Sequence, residues 1–94
     1  MSTSDSQNPA SDALTLSVAG AVTKRREASG LGMAELAKRA GMARAYLWRV
    51  ENADTLPSLR NLARLAVALN LSLSDLLDGV DISEIELRNR RYEN

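Results

Sequence analysis

Cysteine, histidine and phenylalanine are all missing from these 94 residues. Without Cys there are no disulfide staples and no thiol chemistry, and without Cys and His the commonest zinc frameworks are excluded. Such a chain suits a reducing cytoplasm. Aromatics amount to one Trp and two Tyr, so the core has to come from Leu, Ala, Val and Ile. Small Ala side chains favour close packing between short helices. No apolar run approaches the length of a membrane span. The first 20 residues lack the basic stretch and apolar stretch of a signal peptide. No nucleophile–base pair can be built on Cys or His, and no glycine loop is shaped to cradle phosphate. Glu84 and Glu86 fall on different sides of a helix and read as a solvated face. Neither catalysis, a cofactor nor a metal is expected.

What is present is a charge pattern and a helical pattern. Formal net charge is zero, which in sum offers nucleic acid nothing to follow. The distribution is less even. Between Val18 and Asp78 stand nine Lys or Arg against six acids, while both flanking stretches are net acidic. A mildly basic body carries mildly acidic extensions.

Along the chain, residues 1–12 are rich in Ser, Asp, Thr and Asn and read as a disordered arm. The domain proper spans residues 13–79, and residues 80–94 form an extension. Apolar spacing predicts helix one over residues 13–29, with Leu14, Ala21, Val18, Val22 and Ala28 inward and Gly30 as its cap. Helix two covers residues 33–39, burying Leu36, Ala37 and Ala40. Gly41 supplies a tight turn. Helix three, residues 43–52, turns Leu47 and Val50 inward. Ser58 caps helix four, whose stripe is Leu59, Leu62, Leu65, Ala66 and Leu69. Ser72 caps a short fifth helix in which Leu73, Leu76 and Leu77 close the core, and Gly79 ends it. In residues 81–92 acids come early and arginines late, matching a helix dipole. This segment would be a sixth helix, either frayed against its own domain or a dimer contact. No strand pattern appears.

Residues 36–51 place small side chains at a helix crossing and Gly at the turn. Two helices joined so tightly cross steeply, which throws the outer face of the second into solvent. That face groups Arg44, Ala45, Trp48 and Arg49. A helix of this size fits a DNA major groove, where Arg can meet guanine bidentately and Ala can touch a thymine methyl. Trp48 is costly to leave bare. It could meet sugar and thymine edges, meet a protein partner, or fold back over helix four.

The chain resembles the Cro/phage-repressor (XRE) class of helix-turn-helix domains over residues 18–77. The resemblance rests on Val22, Arg26, Gly30-Leu31, Glu35-Leu36-Ala37, Ala40-Gly41, Tyr46-Leu47, Arg49, Val50-Glu51, Pro57-Ser58-Leu59 and the run from Leu71 to Leu77. It implies an all-α, five-helix, lambda-repressor-like DNA-binding domain. By that resemblance Ala43, Arg44, Ala45, Trp48 and Arg49 look toward base edges, while Met33, Tyr46 and Asn52 stand at the DNA backbone. Arg26 and Glu51 match a structural ion pair joining helix one to the recognition helix. Four positions depart from the family. Gly32-Met33 replaces the usual Ser or Thr and Gln opening helix two, Ala43 replaces a capping Ser or Thr, and Ala53 stands where Gly is common. Each lost N-cap costs on the order of 1 kcal/mol.

The implied function is sequence-specific transcriptional regulation by a cytoplasmic homodimer on an inverted repeat of double-stranded DNA. The rival is a protein-interaction module of the same fold (an antitoxin, anti-regulator or adaptor), with Trp48 and Met33 in a protein contact.

Overall fold

The computed structural model describes residues 12–87, and these form five α-helices with no strand among them. They are α1 (Ala13–Ala28), α2 (Met33–Ala40), α3 (Arg44–Glu51), α4 (Leu59–Ala68) and α5 (Leu73–Leu76). The arm expected over residues 1–12 lies outside the described residues except for Asp12, which belongs to α1. Its carboxylate accepts from the Thr15 N–H at 2.8 Å and caps that helix. Ser58 and Ser72 cap α4 and α5 in the same way, each accepting a backbone N–H three residues on.

Four helix ends share one device. In each, two backbone N–H groups beyond the helix turn back to its last carbonyls around a left-handed residue, the Schellman arrangement. At the end of α2, Met42 N–H reaches Ala37 O at 2.9 Å and Gly41 N–H reaches Lys38 O at 3.2 Å. Gly41 sits at φ 70°, where it costs little for want of a Cβ. Gly30 and Asn70 serve the ends of α1 and α4. After α3 the position falls to Ala53 at φ 58°, so a residue with a Cβ pays for the turn that Gly would make freely.

Helix α3 packs on α1 and α2, α2 on α4, and α5 closes against α4 and α1. The centre is Val22, Leu36, Leu47, Val50, Leu65 and Leu76, all essentially without exposure. The inward stripe of α1 is Thr15, Val18, Ala19 and Val22, which includes the expected Val18 and Val22, while Leu14 and Ala21 are half-buried and Leu14 packs against the core. Ala28 was expected inward and is exposed. Leu59 likewise leaves its expected place: as the first residue of α4 it is 66% exposed, because the core-facing side of that helix begins at Leu62. Leu73 and Leu77 are half-buried around Leu76.

Over residues 81–87 the extension makes turns instead of a sixth helix. The Asp81 side chain takes the Ser83 N–H at 2.9 Å, a local bond that competes with helical pairing. Residues 88–94, the rest of that expected helix, lie outside the described residues.

Candidate nucleic-acid interface

Helix α3 is divided cleanly by burial. Leu47 and Val50 point inward, at 0% and 1% exposure, against α1 and α2. Ala43, Arg44, Ala45, Trp48 and Arg49 are all exposed. The division follows from the Gly41 turn, which sends α3 off across α2 after only two further residues. Trp48 is 48% exposed, so the indole is not folded away over the neighbouring helix.

Tyr46 is half-buried at the edge of this face and links it to α4. Its Oη accepts from the Asn61 side-chain amide at 3.0 Å, and the Asn61 carbonyl in turn accepts from Arg64 at 3.4 Å. The Arg49 guanidinium lies 5.7 Å from the centre of the Tyr46 ring, a cation–π contact that restricts its range of orientations. Asn61 and Arg64 carried no sequence signal as neighbours of Tyr46. Their role depends on where α4 lies beside α3, which spacing along one helix does not encode.

The remaining positions are less uniform. Asn52 is exposed, and its side-chain N–H bonds the Trp48 carbonyl at 2.8 Å. In the free chain that amide therefore closes the end of α3. Met33 is half-buried against the core. The N-terminus of α2 above it has Gly32 and no side-chain cap, and Ala43 gives α3 none either. Backbone N–H groups at both starts are left to other acceptors, and anionic oxygens suit them.

Behind the helix, Arg26 and Glu51 form a two-point ion pair. Nε reaches Oε2 at 2.7 Å and Nη2 reaches Oε1 at 2.9 Å, while Nη1 takes the Leu31 carbonyl at 2.9 Å. The side chains are 15% and 4% exposed. Bonding to Glu51 outweighs burial and raises the guanidinium pKa above its ordinary value, so Arg26 stays charged. Arg25 adds a second tie, donating to the Asp75 carbonyl at 2.9 Å.

Residues 18–78 match the family model described as a helix-turn-helix domain. The chain belongs to that family, in its Cro/phage-repressor class. This helix-turn-helix domain is similar to the ImmF control region 10 kDa protein of Bacillus phage phi105, at 43% identity over 71% of this chain and 74% of that protein. It is also similar to the HTH-type transcriptional regulators SinR of Bacillus licheniformis and Bacillus subtilis, at 33% and 36% identity. Those matches cover 69% and 61% of this chain. The helix-turn-helix chain spans only 60% and 52% of the two SinR proteins. Among the described residues no helix is long and apolar enough to cross a membrane, and no group of carboxylates is placed to hold a metal.

Proposed function

We propose that this protein is a DNA-binding transcriptional regulator that acts in the cytoplasm as a homodimer on an inverted-repeat operator, with α3 in the major groove. The observation that carries this reading is the bare outer face of α3. Two guanidiniums, a methyl group and an indole stand free there, while the opposite side is locked to the core. Arg44 and Arg49 supply forks for guanine, Ala45 a surface for a thymine methyl, and Trp48 a flat apolar contact. Ala43 lies at the mouth of the same face. Met33, Tyr46 and Asn52 flank it as phosphate-facing positions that set register. Relatives named as transcriptional regulators support the same reading.

A single short helix offers too few base contacts for high specificity, whereas two copies can read half-sites about 34 Å apart. A shallow apolar groove supports pairing. Leu14, Leu56, Pro57, Leu59, Val80 and Ile82 line a concavity of about 380 Å³. A second copy, bringing its own exposed Leu56 and Leu59, is suited to fill it.

Selection of bound duplexes from a random pool, at low and high salt, tests the proposal. Enriched palindromes support it. Absence of enrichment at low salt overturns it and favours the protein-interaction reading, in which Trp48 and Met33 form part of a contact for another protein.

A further inference from the structure

The end of α2 and the outer side of α4 border a second, open cleft of about 340 Å³, lined by Arg39, Arg60, Arg64, Ala40, Ala63 and Val67. Residues 60, 64 and 67 share one face of α4, since they follow the helical spacing. Arg39 is paired with Glu35 at 3.0 Å, an exposed pair that solvent screens. Neither Arg60 nor Arg64 meets a carboxylate among the described residues. Val67, one turn beyond Arg64 in the same cleft, is 75% exposed. A phosphate backbone would satisfy the arginines and leave Val67 bare. A segment that alternates carboxylates with aliphatic side chains would cover both.

This chain contains such a segment. Residues 81–87 run Asp81, Ile82, Ser83, Glu84, Ile85, Glu86, Leu87, and all are exposed. Ile85 and Leu87 are 49% and 94% exposed, with Glu84 and Glu86 between and beside them. In its own copy the segment is tied to α1: the Asp81 N–H donates to Ser17 Oγ at 2.8 Å, and Glu84 and Ile85 lie beside Asp12 and Leu14. The α2–α4 cleft is built from other helices. A net charge of zero thus hides a basic cleft and an acidic, aliphatic segment on different elements of one molecule.

The geometry points to residues 81–87 of one copy docking in the Arg39–Arg60–Arg64 cleft of a second copy. The contact is head to tail, distinct from a two-fold pairing, and contacts of this kind extend into chains unless they close into a ring. On DNA it would link regulators bound at adjacent sites. That consequence rests on the DNA-binding reading, whereas the contact itself does not.

Full-length charge-reversed variants test it by sedimentation equilibrium, with circular dichroism confirming that each is folded. One carries Arg60→Glu and Arg64→Glu, the other Glu84→Arg and Glu86→Arg. The wild-type protein is expected to form species larger than a dimer at low salt and to lose them at about 0.5 M salt, where screening is nearly complete. Each variant alone should weaken that association about tenfold or more. Mixing the two variants should restore it, because each acidic segment then meets a basic cleft and each basic segment an acidic one. Unchanged association in the variants, or a mixture that stays apart, overturns the proposal. So does a cleft variant that loses only DNA affinity and salt dependence, which would assign the arginines to phosphate.

Discussion

Arg26 and Glu51 face each other through two parallel bonds of 2.7 Å and 2.9 Å, tying α1 to the last residue of α3. The geometry is bidentate and largely sheltered from water, with side-chain exposures of 15% and 4%. Such a pair fixes direction more surely than it adds stability, since desolvation offsets most of the attraction.

That distinction can be measured. Glu51→Ala strands a sheltered guanidinium and should cost about 3 kcal/mol in urea unfolding. Replacing both partners together, Arg26→Met with Glu51→Leu, should recover most of that loss, because no charge is left unpaired. If the pair's task is orientation, the double variant will remain weaker on operator DNA despite its recovered stability. Full recovery of binding would show that direction is set elsewhere.

On the outer face, Arg44→Ala and Arg49→Ala should each lower discrimination between the best duplex and a mismatched one by about 1–3 kcal/mol. Asn52→Ala should instead weaken all duplexes alike. Competition titrations at fixed salt separate these patterns. Arg49 has a further dependence, because its guanidinium rests over the Tyr46 ring. Tyr46→Ala should therefore reproduce part of the Arg49 loss.

Two small substitutions should stabilise the fold. Ala53→Gly relieves a Cβ held at φ 58° and should add about 1 kcal/mol, less the value of burying one methyl group. Ala43→Ser gives α3 the side-chain cap it lacks and should add about 1 kcal/mol as well. Thermal unfolding of each variant and of the pair checks both. The sites are distinct ends of one helix, and near-additivity is expected.

Stability should also fall in acid through the cap of α1. The Thr15 hydroxyl and, less strongly, its backbone N–H hold the Asp12 carboxyl below its ordinary pKa. A depressed carboxylate stabilises the fold above its unfolded pKa, and that contribution disappears as pH drops through the folded value. Unfolding midpoints of wild type and Asp12→Asn should therefore converge as pH falls below the normal carboxylate range. Parallel curves down to low pH would remove Asp12 from the account.

The parts of this fold legible in the sequence are those governed by neighbours a few residues apart. The Gly41 turn, the Ser58 and Ser72 caps, and the Leu36, Leu47, Val50 and Leu65 positions all follow from local spacing. The first helix was legible only in part, because Thr15, buried at 1% exposure, is polar and gave no sign of facing the core. Asp12 looked like part of a polar arm because a cap differs from a loop residue only in what its carboxylate accepts. The charge order of residues 81–92 suggested a helix. Over residues 81–87 the acids and aliphatics are all exposed, so no packed face rewards helix formation, and the Asp81–Ser83 bond takes precedence. The links from Tyr46 through Asn61 to Arg64 depend on tertiary placement alone.

Leu59 gives the sharpest test of the two-fold pairing. It is 66% exposed at the first position of α4, in a groove that also holds Leu56, 45% exposed, and Ile82, 68% exposed. A glutamate there stays largely in solvent in the folded copy and lies in the first turn of a helix, where negative charge is favourable. Leu59→Glu should therefore leave the unfolding midpoint unchanged or slightly raised. In a two-fold dimer the same change occurs twice, and losing burial of about 1.5 kcal/mol at each leucine weakens pairing by about 3 kcal/mol, or roughly 100-fold. The variant should sediment as a monomer at concentrations where the wild type is dimeric. It should lose affinity for a palindrome while keeping its affinity for an isolated half-site. Equal masses for the two proteins would place the dimer contact on another surface, because a buried groove cannot accept two carboxylates without cost.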